Sequence, residues 1–115
     1  MAEFLSDDWF AALIAQASET SADPMINITL QQTVESGDPI IWHTTISEGT
    51  VRVTRGATDS ADVRLRSDLA TAAGIHDGSI SAQRAFLDGT LRIGGDLVAL
   101  MAARESLARI SLFGA

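Results

Sequence analysis

The chain has 115 residues, fifteen acidic against eight basic, for a net charge of −7 and a pI near 4.5. Nucleic-acid binders need clustered cations, and an anionic bilayer repels an acidic surface, so this balance argues against both partners. The absence of cysteine removes disulfides, thiolate nucleophiles and cysteine metal sites from consideration.

No linker-like run divides the chain, so residues 1–115 are expected to form a single domain. A chain of this size buries roughly 60–70% of its extended-chain surface, enough for one core. Hydrophobic residues make up 46% and charged residues 20%, a globular composition. No basic segment precedes an apolar one in the manner of a leader. No apolar run approaches the ~18 residues of a membrane span, so a cytoplasmic protein without stable membrane insertion is expected. All eight cations are arginine, which we read as compositional bias.

The first predicted element is a helix. Ser6 is a hydroxyl cap, Asp7 and Asp8 follow at the positive end of the dipole, and Leu5 and Phe10 stand at staple spacing. Trp9, Phe10, Leu13, Ile14 and Ala17 make one apolar stripe, and residues 20–24 end the helix.

Three strands follow as an antiparallel meander. MINITLQQTV alternates, with Ile26, Ile28 and Leu30 on one side. Gly37-Asp38-Pro39 is a turn, and IIWHTTIS carries Trp42 among β-branched residues. Glu48-Gly49 turns into TVRVTR, with Val51 and Val53 inward. After RGATDS, the strand ADVRLRS puts Ala61, Val63 and Leu65 on one face.

The second half is helical except for one strand. Ser67 or Asp68 caps a short helix expected to stop before Gly74, and Ser79 or Ser81 caps another containing Gln83, Ala85, Phe86 and Leu87. Gly89 suits that helix's end, TLRIG is a fifth strand with Leu91 and Ile93 inward, and Asp96 caps a last helix, LVALMAARESLA. The fold class is therefore α+β: a five-stranded, mainly antiparallel sheet with helices packed on one face. Arg52, Arg64, Arg66 and Arg92 share the outward parity of their strands. That basic face either docks an acidic partner or pairs its arginines with cross-strand acids.

The residues assemble no catalytic set. His43 has the parity opposite to Trp42 and reads as a solvated sheet-face histidine. His76-Asp77 reads as a turn after Gly74, and the two histidines lack metal-ligand spacing. Asp7 and Asp8 point about 100° apart on their helix and so share no face. Gly94-Gly95-Asp96 lacks the GxGxxG pattern, and its aspartate would repel phosphate, so it reads as a tight strand-to-helix turn. No serine stands in GxSxG, and there is no tyrosine.

From Gln83 to Leu100 the sequence resembles the sterol carrier protein type 2 family. That family's hallmark is a Pro-Gln-Lys-Ala-Phe helix, a glycine, a Leu-x-Ile strand and a Gly-Asp or Gly-Asn helix start. Gln83, Arg84, Ala85, Phe86, Gly89, Leu91, Ile93, Gly95, Asp96 and Leu100 fall on it without a gap. ADVRLRSD resembles the family's strand leading into a capped helix, and IIWHTTISEGTVRVTRG its tryptophan-bearing hairpin. Ala82 replaces the usual proline, and the terminal LFGA is not a peroxisomal address, so organelle targeting and membrane docking are not carried over.

The resemblance implies a hydrophobic tunnel for an apolar small molecule: a fatty acid, acyl-CoA, sterol or quinone. No cofactor or metal is implied. Leu97, Val98, Leu100, Met101 and Leu107 cover a wider arc of the last helix than one core stripe uses, which suits either a cavity lining or ordinary core packing. The ligand-binding set expected is Trp42, Gln83, Phe86, Leu97, Val98, Met101, Leu107, Ile110 and Phe113, with the tail as lid or as core. Gln83 meets a headgroup or only local backbone. The function expected is non-catalytic binding, transfer or presentation of the ligand. The alternative is a docking or homodimerising module that assists an enzyme partner, and a weaker third is a small pocket enzyme.

Overall fold

Helix α1 (Asp7–Glu19) opens the fold as its cap residues dictate. Ser6 Oγ accepts the Trp9 N–H at 3.1 Å, and Asp7 and Asp8 occupy the first turn. Trp9, Phe10, Leu13 and Ala17 are buried, but Ile14 is 40% exposed. At 100° per residue, Ile14 lies roughly 85° from the centre of the buried arc, so the stripe is narrower than the sequence suggested. A computed structural model describes residues 4–35 and 37–102 of the chain.

The strands are β1 (Ile28–Glu35), β2 (Ile40–Ser47), β3 (Thr50–Arg55), β4 (Val63–Asp68) and β5 (Leu91–Gly95). Their order in the sheet is β3-β2-β1-β4-β5. β2 is antiparallel to β1 and β3, and β5 is antiparallel to β4, whereas β1 and β4 run parallel. Glu48 and Gly49 both have positive φ, the conformation a two-residue hairpin loop needs between β2 and β3.

The parallel pair requires a crossover, and residues 56–62 supply it without a helix. This segment is tied to the outward side chains of the sheet: the Gly56 carbonyl meets His43 Nδ1 at 2.9 Å, and Gln31 Oε1 accepts the Thr58 N–H at 3.0 Å. Asp62 then exchanges backbone and side-chain hydrogen bonds with Thr29. His43 is thus half-buried under a strap rather than openly solvated.

The inward face carries Ile28, Leu30, Val34, Trp42, Ile46, Val51, Val53, Val63, Leu65 and Leu91. Helix α1 packs over β3 at one side, and α2 (Leu69–Asp77), α3 (Ala82–Asp88) and α4 (Leu97–Ala102) pack towards β4 and β5. Under α1, Trp42 makes edge-to-face contacts with Trp9 and Phe10, at centroid distances of 5.7 and 5.4 Å. Arg55 caps this cluster from outside, 4.3 Å above the Phe10 ring and 2.7 Å from Asp7.

Helix α2 does not stop before Gly74. It continues to Asp77 and ends at Gly78 in the left-handed conformation. Glycine at 74 answers packing rather than termination, because a Cβ there would collide with Ile80. His76 consequently lies in the last helical turn, stacked on Phe4 at 4.5 Å, and not in a loop.

Candidate functional site

The unit from α3 to α4 is built by short-range caps. Ser81 accepts the Arg84 N–H at 3.0 Å, starting α3, and Gly89 at φ +81° ends it. The Thr90 N–H returns to the Ala85 carbonyl, turning the chain into β5. At the far end Gly95 adopts φ +99°, and a Cβ there would collide with the Asp62 carbonyl. Asp96 then donates its N–H to that same carbonyl at 2.8 Å and accepts the Ala99 N–H at 3.0 Å. Gly95 and Asp96 therefore lock β5 and α4 onto the start of β4, the tight capped turn expected.

Only part of this unit faces the core. Ala85 and Leu91 are buried, and Ala82, Ile93, Ala99 and Leu100 pack partly against the core. Phe86 is 44% exposed, Leu97 45%, Met101 62% and Val98 80%. Six of the eight exposed large apolar side chains among the described residues, these four with Leu69 and Leu87, stand on α2, α3 and α4. These exposed apolar side chains make the helical layer the candidate binding surface of the molecule.

Of the expected ligand set, Phe86, Leu97, Val98 and Met101 thus lie on the two helices flanking β5. Trp42 stands apart from them, fully buried on β2 among Trp9 and Phe10. Gln83 is exposed on α3, and its amide has no hydrogen bond among the described residues. Leu107, Ile110 and Phe113 lie outside the described residues.

The inward side of the sheet also holds buried polar residues: Gln32 and Thr44, not singled out from sequence, and the cap candidate Ser67, with Thr71 on α2. Strand parity would have found the first two, since Gln32 and Thr44 share the phase of Leu30 and Trp42. The Ser67 hydroxyl is buried without a hydrogen-bond partner among the described residues.

The electrostatics are those of caps. Asp68 is held below the usual carboxylate range by the Thr71 backbone N–H and hydroxyl, and Asp77 by hydrogen bonds from Ser79. Both are ionised acceptors of local hydrogen bonds, the wrong state for a general acid. No cluster of three metal-ligating side chains occurs among the described residues. No helix among them is long and apolar enough to cross a membrane.

The model of the SCP-2 sterol transfer family matches residues 10–108. The chain belongs to that family. Membership places it among lipid-binding and lipid-transfer domains, and solved structures share its five-stranded α+β fold. A crystal structure of sterol carrier protein 2 is 18% identical, with a TM-score of 0.69 over 93% of this chain and 92% of that one. The solution structure of palmitated sterol carrier protein 2 like 2 from Aedes aegypti is 16% identical, with a TM-score of 0.69 over 98% and 100%. The fold also recurs within the sec-alkyl sulfatase PisA1 from Pseudomonas sp., at 22% identity and a TM-score of 0.65. There 88% of this chain corresponds to 16% of that one. No curated protein matches the chain in sequence.

Proposed function

We propose that residues 1–115 act as one cytoplasmic domain that binds an apolar metabolite on the helical side of the sheet and transfers or presents it without chemical change. The ligand is a fatty acyl chain, an acyl-CoA ester, a sterol or a quinone-like lipid. The observation that carries the proposal is the exposed apolar surface of α2–α4, in a chain of the sterol transfer family. Phe86, Leu97, Val98, Met101 and Leu107 would line the site, Ile110 and Phe113 in the tail would close it, and Gln83 would meet the polar end. Trp42, buried in the core on the same side of the sheet, would report occupancy through its emission. A palmitated relative of the same fold supports an acyl chain.

The energetics suit such a ligand. A long acyl chain has about fifteen CH₂ and CH₃ groups, each worth about 0.8 kcal/mol on burial, or about 12 kcal/mol gross. Subtracting about 4 kcal/mol for lost freedom leaves about 8 kcal/mol, a micromolar dissociation constant. Polar recognition need contribute almost nothing, and the flexible Met101 tolerates varied chains.

Native mass spectrometry of freshly purified protein tests the proposal. A bound lipid, identified after organic extraction, is the expected result. Empty protein whose tryptophan emission also ignores acyl and steroid probes would sink it and favour a docking module.

A further inference from the structure

The outward face of the sheet is the opposite of the molecule's average. On a chain of net charge −7, four of eight arginines stand there, Arg52, Arg64, Arg66 and Arg92, all exposed. Its strand positions include two carboxylates, Glu35 and Asp68, both at strand ends, and Asp68 is engaged in capping α2. Sequence parity anticipated the stripe, but the expected cross-strand ion pairs are largely missing. Arg66 Nε meets Glu35 at 3.3 Å, with both side chains more than half exposed, a weak pair. Arg52, Arg64 and Arg92 make no ion pair among the described residues.

The register makes this arrangement costly. Arg66 on β4 stands directly opposite Arg92 on β5, and like charges so placed are destabilising. Arg64 stands opposite Gly94, where an added Cβ would touch nothing, so the sheet surface over Gly94 is open. Around that space runs a groove of about 380 Å³ lined by Arg64, Arg66, Arg92, Gly94, Gln31 and Thr33, with no carboxylate in its lining. The Gln31 amide is oriented by the Thr58 N–H on its oxygen, which leaves its NH₂ to donate. Neighbouring grooves on this side do carry acids: Glu48 beside Arg52, and Glu35 with Asp68 on the far side of Arg66 and Arg92.

From these observations we infer that the groove between β1, β4 and β5 is a phosphate-binding site, in which Arg64, Arg66 and Arg92 bind the phosphate group of a soluble ester or a lipid headgroup. Planar guanidinium forks match phosphate oxygens in pairs, and Gln31 and Thr33 add neutral donors. The anion would relieve the Arg66–Arg92 repulsion, which the exposed Glu35 offsets only weakly and at Arg66 alone. The site lies across the sheet from the apolar helical surface and stands independently of the proposed lipid cargo.

The test uses the full chain at low ionic strength, where surface fields are least screened. Inorganic pyrophosphate is titrated while backbone amide shifts are followed, and phosphatidylcholine vesicles with and without phosphatidic acid are sedimented with the protein. Three variants accompany the wild type. Arg92→Thr removes a fork, Gly94→Val fills the groove, and Arg52→Thr removes a cation elsewhere on the same face. Saturable shifts centred on β4 and β5, weakened about tenfold or more by Arg92→Thr and Gly94→Val but little by Arg52→Thr, are expected for a soluble phosphate. Vesicle binding that requires phosphatidic acid and shows the same variant order would instead assign the site to a headgroup. Absence of both, or binding weakened equally by Arg52→Thr, would overturn the inference. Folding is checked by denaturation: Arg92→Thr and Gly94→Val should unfold no earlier than wild type, so lost binding cannot be lost structure.

Discussion

A methyl group added at Gly95 would meet the backbone of Asp62 and Val63, and the residue already holds φ +99°, where side chains are strained. Gly94 beside it has neither constraint. Gly95→Ala should therefore cost about 2–4 kcal/mol, from positive-φ strain plus displacement of β4, while Gly94→Ala should stay within about 0.5 kcal/mol. Urea midpoints at unchanged slope would show it, and equal effects would contradict the packing account. Sequence alone marked the pair as a turn before an aspartate cap. It did not distinguish the two glycines, because the colliding backbone belongs to a residue more than thirty positions earlier.

At the scale of one element, α2 shows how a local signal can be right at one end and wrong at the other. Its start was legible as Ser67 or Asp68, and Asp68 caps it, accepting the Thr71 N–H at 2.7 Å. Its end was misplaced at Gly74, since a glycine required by contact with Ile80 looks identical, in sequence, to a terminating one. The cap carries a pH signature. The Asp68 carboxyl is lowered in the folded state, so its contribution is complete above the unfolded value of about 3.9 and is lost as pH falls through the lower folded value. Asp68→Ala should cost about 1 kcal/mol at pH 7 and progressively less below about pH 4. Asp68→Asn should keep most of the cap yet lose that pH dependence. Denaturation at pH 7 and pH 3 separates the three proteins, and an Ala penalty that grew on acidification would refute the assignment.

On the scale of the whole molecule, two unlike surfaces lie on opposite sides of one sheet: apolar side chains exposed on α2–α4, and arginines on the strands behind them. A bound lipid should stabilise the fold by mass action. A fatty acid at about a hundred times its dissociation constant should add about 2.7 kcal/mol, raising Tm by about 10 °C. Val98→Asp should remove most of that increment while barely lowering the Tm of empty protein, because Val98 is 80% exposed. A loss of Tm without lipid would show Val98 to be core instead.

The sequence by itself determined the strands, the helix starts and which strand side chains point outward, because periodicity and hydrogen-bonding chemistry act over a few residues. Parity alone placed all four strand arginines on the outer face, and the Gln83–Leu100 register was enough to name the family. What only the tertiary structure decided depends on residues distant in the chain. The strand order joins β1 to β4 in parallel, residues 56–62 cross over His43 and Gln31, and Arg66 faces Arg92 rather than an acid. Register between distant strands is set by the packing of the whole core, which no local window of sequence contains.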